Sequence, residues 1–376
     1  MNFTSLPESD WQWLKSKEDL NQLLAQAQKI PVLALDLEAD SMYRYHTRIC
    51  LIQISSPEQN WICDPFDFEF IPELTQILDQ CLLLMHGSDY DLRLMKSFWN
   101  YTPKNIWDSH MAGRFIGLTQ LGLGALVQEY CQISLDKKFQ KADWTKRPIS
   151  PEMLDYAAHD TQFLFTIYDK MTLKLQELER FDWCNQSTKH FLETNSISFD
   201  GNNDDSWRIK NSSKLPRKGL AYLKILWKWR ENLALEFDAP PFKIVANEQL
   251  LSASFQLSTG KSLLAAFDRL PRRITLDTFA PYLEEIKNVE FMNEKEYPIK
   301  PHDRGIILKG PATTRFEHIK EYRDRISLSL NLDPALLISK NQMVYLSEKP
   351  HSYAEQLLPW QSELLKNEIN PIFWDI

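Results

Sequence analysis

Four short runs crowded into the first quarter of the chain constrain its fold more than any other feature. VLALDLEA from residue 32, RICLIQIS from 48, WICD from 61 and LLLMHG from 82 have strand length and are rich in Leu, Ile, Val and Cys. Helical patterns alternate with them and follow them: EDLNQLLAQAQK, DYDLRLMKSF, LGALVQEY, and the long stretch PEMLDYAAHDTQFLFTIYDKMTLKLQELERF. That stretch reads as a helix with Ser150 as N-cap and Pro151 in its first turn. Strands interleaved with helices make an α/β domain, which ends near residue 190.

At 376 residues the chain is too long for one ordinary core. Around residues 195–206 it becomes polar and turn-rich, as a linker does, and strand alternation stops. LPRKGLAYLKILWKWRENLALEF then places Leu220, Leu223, Leu226, Trp227 and Leu233 in a helical stripe. A second break, NEKEYPIKPHDRG at 293–305, precedes another helical stretch. The expected layout is an α/β domain over 1–195, then two small all-α domains over 206–292 and 305–376.

Composition narrows the classes further. A net charge of −8 does not by itself point to nucleic acid, so the distribution of charge has to decide. Five scattered cysteines, with no CxxC pair and no histidines at zinc spacing, indicate neither a disulfide framework nor a structural zinc site. The beginning of the chain lacks a signal-peptide pattern, and no 18 uncharged apolar residues run together. A soluble cytoplasmic protein with no membrane partner is the expectation. No GxxxxGK[ST] occurs, so ATP hydrolysis is not suggested.

Chemistry enters with four acids among apolar neighbours. Asp36 and Glu38 are two apart on a strand, so both leave the same face. Asp91 lies where the run LLLM hands over to a helix, and Asp160 lies on the long helix with Tyr156 one turn before it. Taken singly, each has an ordinary reading: an exposed strand pair, an acid favoured by a helix dipole, a solvated helix position, a rim aromatic. Their ordered combination argues for a shared role. Gathered carboxylates resist ionisation unless cations compensate them, and oxygen-only ligand sets prefer Mg²⁺ or Mn²⁺. Two such ions about 3.5–4 Å apart can activate a water and clamp a phosphodiester.

These residues resemble a known family. LALDLEADSMYRYHTRICLIQIS, LLLMHGSDYDLRLM, DWTKRPIS and LDYAAHDTQFLF are similar to the exonuclease motifs of the DEDD 3′–5′ exonucleases, most closely the ribonuclease D family. The resemblance covers roughly residues 10–180. It implies a ribonuclease H-like fold, a mixed sheet flanked by helices, with Asp36, Glu38, Asp91 and Asp160 holding two divalent metal ions and Tyr156 orienting the attacking water. The histidine subclass carries its base five residues before the last aspartate. Asp155 stands there and Tyr156 is four before, which matches the tyrosine subclass. Residues from Trp207 through Phe255 resemble an HRDC domain, with Trp229 and Arg230 in its LxxLxxWR core and Pro240 and Val245 in a later element; the last helical stretch more weakly resembles a second.

Substrate contacts are expected from Tyr43, which could stack on a terminal base as Tyr45 and His46 could, and from Gln53 and His86, at positions commonly kept in the family. Lys138, Trp144 and Arg147 lie in a basic cluster just before the catalytic helix. A second basic stretch, Arg208 to Arg230, could follow a phosphate backbone. The implied activity is a metal-dependent 3′–5′ exoribonuclease releasing 5′-monophosphates, acting on tRNA precursors or other structured RNA 3′ ends. A DNA exonuclease of the same subclass and a non-catalytic RNA-binding scaffold are the rivals.

Overall fold

A computed structural model describes residues 11–194, 205–267, 270–271, 274–300, 308–350 and 356–365. Most of the linker expected around 195–206, and the end of the second expected break, lie outside these residues. Two compact units divide the chain: residues up to 39, 49–199 and from 308 onward form one, and 40–48 with 200–307 form the other.

Among the described residues the first unit is built on six strands: β1 (Trp11–Trp13), β2 (Val32–Ala39), β3 (Ile49–Ser55), β4 (Asn60–Cys63), β5 (Leu82–Met85) and β6 (Ile106–Asp108), in the order β1-β4-β3-β2-β5-β6. β2 pairs antiparallel with β3 and parallel with β5, so the sheet is mixed, as the resemblance implies. Among the described residues up to Thr194 the helices that accompany it are α1 (Lys17–Lys29), α2 (Ile71–Leu78), α3 (Asp89–Trp99), α4 (Ser109–Ile116), α5 (Leu123–Cys131), α6 (Pro151–Gln162), α7 (Leu164–Glu177) and α8 (Phe181–Thr194).

β2 reads as a central strand because both of its faces are covered. Leu33, Leu35 and Leu37 enter one core cluster with Leu20, Leu23 and Leu92, while Val32 and Ala34 enter another with Trp107, Phe115 and Leu164. Asp36 and Glu38 continue the Val32–Ala34 face by strand alternation. Pairing with β5 stops at Ala34↔Leu84, so the two acids extend past the end of their parallel partner. A register shift after Glu38 then bends the strand away.

The long helix expected from Pro151 is two. At Phe163 the helical ladder lapses, its N–H reaching only the Thr161 carbonyl, and α7 begins at the next residue. Just before the break, Thr161 and Gln162 are tied sideways to Ser55 and Asn60.

The last stretch, α14 (Pro311–Leu330), α15 (Pro334–Leu337) and α16 (Lys340–Glu348), is helical as expected and lies in the same compact unit as the sheet. Trp360 stacks on Trp183 at 5.0 Å, meets Phe115 edge-on at 5.5 Å, and donates from Nε1 to Ser187. Arg180 spans the carbonyls of Phe115 and Leu330.

The second unit holds α9 (Arg217–Glu236), α10 (Pro241–Ile244), α11 (Asn247–Ser258), α12 (Leu263–Ala266) and α13 (Leu283–Asn288). Its core centres on Trp229, stacked on Phe279 at 4.1 Å. Residues 40–48 join it through Arg44–Asp238 and Tyr45–Glu231 contacts. Among the described residues no helix is long and apolar enough to cross a membrane.

Candidate active site

Three elements bring the predicted acids together. Asp36 and Glu38 stand at the end of β2, Asp91 in the first turn of α3, and Asp160 on α6. Asp36, Glu38 and Asp160 each offer an oxygen within 4.8 Å of the others. Asp91 lies outside that tight group, yet after burial it is raised by the charge of Asp36, and it adds to the charge felt by Glu38.

The local sequence explains each placement. After β5 the chain turns at Gly87, whose φ of +63° favours glycine, and enters α3 at once. Buried Asp108 holds that turn, accepting from the Gly87 N–H at 3.1 Å and from the Ser88 N–H and hydroxyl at 2.7 Å each. The same carboxylate caps α4 through the N–H groups of His110 and Met111. Asp108 was not among the expected site residues, although an Asp just before SHMAGRF is an N-cap signal. α6 starts at Ser150, whose hydroxyl accepts from the Met153 N–H, with Pro151 next.

Electrostatics set the cluster apart. Burial pushes the Asp36 carboxyl up to about 6, opposed only by a hydrogen bond from the Leu37 N–H. Glu38, Asp91 and Asp160 are also raised, first by burial and then by one another's charge or that of Asp36. No cationic side chain among the described residues offsets any of the four. A carboxylate set without a protein counter-charge fits hard divalent cations.

Tyr156 is half-buried one turn before Asp160, edge-on to Phe139 at 5.8 Å and tilted against Trp144 at 6.3 Å. Burial, then the charges of Asp160, Glu38 and Asp36, raise its pKa, so the phenol keeps its proton. Asp155, in the position the histidine subclass uses, accepts from Trp11 Nε1 at 2.8 Å. A cavity of about 510 Å³ includes Asp36, Glu38, Asp160, Tyr156, His86 and Lys137 in its lining. A second, of about 540 Å³, shares Tyr156 and Asp160 and adds Lys138, Phe139 and His159.

The six expected substrate contacts divide. His86 lines the acid cavity, paired through Nδ1 with Ser109 Oγ at 2.8 Å, and burial pushes its pKa down to about 4, so it is neutral at pH 7. Lys138 lines the second cavity, its ammonium 4.9 Å from the Phe139 ring. Tyr43 belongs to the second unit, under the ammonium of Lys243 at 4.4 Å. Arg147 is consumed structurally: it grips Asp64 with two nitrogens and donates to the carbonyls of Cys50, Trp144 and Lys146. Trp144 and Gln53 are 1% and 0% exposed and present no surface to a ligand.

The basic stretch of the second unit is largely spent internally. Lys218 pairs with Glu290, Arg208 with Asp205, Arg217 with three carbonyls, and Arg230 is buried against Glu231, Asn247 and the Val245 carbonyl. Four of the eight basic side chains from Arg208 to Arg230 are thereby engaged within the unit, and Lys228 lies 3.8 Å from Glu285.

Comparison with known proteins agrees with this geometry. Residues 11–176 match the family model of a 3′-5′ exonuclease, and 219–273 match that of an HRDC domain. Ribonuclease D of Shewanella sp. (strain ANA-3) is 30% identical over 61% of this chain and 60% of its own length. Ribonuclease D of Xanthomonas oryzae pv. oryzae is 26% identical over 96% and 98% of the two chains. The crystal structure of Escherichia coli RNase D, described as an exoribonuclease involved in structured RNA processing, shares the fold with a TM-score of 0.71 at 21% identity, covering 96% of this chain and 98% of that one.

Proposed function

The chain belongs to the ribonuclease D family of 3′–5′ exoribonucleases, and from that premise we propose that it trims tRNA precursors or other structured RNAs from their 3′ ends. Asp36, Glu38, Asp91 and Asp160 are the residues that would hold two divalent ions, Mg²⁺ or Mn²⁺. The observation that carries this reading is the group of three carboxylates within 4.8 Å of one another. None of the four acids has a cationic side chain offsetting its charge among the described residues.

The protein's own groups then have distinct tasks. Tyr156, held protonated by burial and by its acidic neighbours, can hydrogen-bond the water that attacks the terminal phosphorus and aim it in line. When bound, the cations neutralise the acids, acidify the attacking water and take up charge on the departing 3′ oxygen. The P–O3′ bond breaks, leaving a nucleoside 5′-monophosphate and an RNA one nucleotide shorter with a free 3′ hydroxyl. Neutral His86 offers a hydrogen bond in the acid cavity without a charge that would compete with a cation. Lys138 supplies a positive charge in the cavity that Tyr156 and Asp160 also line, where backbone phosphates of the nucleotides next in line would pass.

The test is a 3′-extended tRNA and a matched single-stranded DNA, incubated with Mg²⁺, with Mn²⁺ or with chelator. Stepwise shortening of the RNA from its 3′ end, stopped by chelator, is expected. RNA left intact with both ions would overturn the reading, and equal degradation of the DNA would remove its preference for RNA.

A further inference from the structure

A buried polar strip runs beneath α6. Ser55 donates to Asn60 Oδ1 at 2.6 Å, its oxygen lies 2.7 Å from the Thr161 hydroxyl, and Asn60 reaches Gln162 Oε1 at 3.4 Å. Two residues along β3 lies Gln53, on the same face as Ser55 by strand alternation and paired in register with Asp36 on β2. Directly opposed side chains on antiparallel strands leave the same face with Cβ atoms about 4.5–5.5 Å apart. Gln53 is 0% exposed, and neither its amide nitrogen nor its amide oxygen has a hydrogen-bond partner among the described residues. Its neighbours on that face, Leu51 and Ser55, touch α6 residues, Leu51 in the cluster with Ala157 and Ala158 and Ser55 at Thr161.

An unpartnered buried amide beside a carboxylate cluster is a particular choice of side chain. A lysine or arginine there would neutralise the acids and displace a cation, and another acid would add repulsion. A carboxamide offers a donor while leaving the charge of the cluster unchanged, and it does so at any pH. We propose that Gln53 is a positioning residue: with a divalent cation at the site, its Nε2–H, unpartnered in this structure, would donate to the register-paired Asp36 carboxylate and fix the rotamer in which Asp36 meets the cation. This role rests on Asp36 being a cation ligand. It replaces direct substrate contact as the reason for a glutamine at this position.

Gln53→Leu and Gln53→Met, both of similar volume and without the donor, are compared with the unaltered full-length chain. The readouts are Mg²⁺ affinity by calorimetric titration, kcat and KM on single-stranded RNA, and Tm in chelator. Both variants should bind Mg²⁺ about tenfold to a hundredfold more weakly. kcat should fall by a similar factor, with KM for RNA and the chelator Tm nearly unchanged. A packing role alone would lower Tm and spare Mg²⁺ affinity, and that result would overturn the proposal for whichever variant folds. Asp36→Asn, titrated in parallel, separates the two levels of the argument. Unchanged Mg²⁺ binding in Asp36→Asn removes the ligand assignment itself, whereas weakened binding there with normal binding in the Gln53 variants removes only the role of Gln53.

Discussion

Replacing Asp36 by asparagine should make the cation-free protein more stable near neutral pH while destroying its activity. The carboxyl is raised from 3.8 to about 6 by burial, and a shift of about two units corresponds to about 3 kcal/mol. The folded-state value lies above the unfolded one, so this contribution is fully present below about pH 4 and is lost as pH rises through about 6. Near pH 7 the folded protein therefore carries the whole cost of an ionised, uncompensated Asp36. Asparagine keeps the shape and an acceptor for the Leu37 N–H but removes the charge, and it also relieves Glu38, Asp91 and Asp160, all of which feel Asp36. Urea unfolding in chelator near pH 7 should show a gain of about 2–3 kcal/mol for Asp36→Asn, shrinking towards zero near pH 4. Added Mg²⁺ should stabilise the unaltered protein strongly and the variant weakly. If the variant is no more stable than its parent in chelator, or gains as much from Mg²⁺, the account of four uncompensated acids fails.

Three other substitutions probe the rest of the site. Tyr156→Phe should lower kcat on RNA by about 10²-fold or more with Mg²⁺ affinity unchanged, and an unaltered rate would make the phenol a packing residue. Asp108→Ala strands the Gly87 and Ser88 donors and uncaps α4, so chemical denaturation should show a loss of about 2–4 kcal/mol; a loss under about 0.5 kcal/mol would contradict its place in the turn that sets Asp91. Arg147→Ala should lower Tm while leaving RNA affinity in filter binding nearly intact, because its guanidinium is occupied by Asp64 and three carbonyls. A large drop in RNA affinity without a drop in Tm would return Arg147 to the substrate side.

The strand that carries Asp36 and Glu38 was legible in sequence for a simple reason: period-two alternation places both on one face whatever surrounds them. The handover from LLLM to DYDLRLM was legible too, since a buried run cannot continue into charged residues without a change of element. β1 and β6 were not, because three residues carry too little pattern to distinguish a strand from a loop. The split at Phe163 was hidden because apolar periodicity runs straight across it, while the contacts flanking it involve Ser55 and Asn60, about a hundred positions away. Distance along the chain hid the fate of the basic residues as well. Lys218 and Arg217 look free in a window of twenty residues, and their partners lie 72 to 81 positions on. Gln53 looked like a possible substrate contact because sequence shows its polarity but not its accessibility.

The docking of Trp360 between Trp183 and Phe115 bears on biosynthesis. Trp360 follows Ser187, its hydrogen-bond partner, by 173 positions, and ribosomes add about 5–20 residues per second. The sheet and its helices are thus translated about 10–35 s before the side chain that covers this part of their apolar face. During that interval Phe115, Trp183 and the surface around Arg180 wait uncovered on the nascent chain. A gene cut after α8 to isolate the exonuclease part would make that wait permanent, and its product should aggregate unless the C-terminal helices are supplied as a second polypeptide.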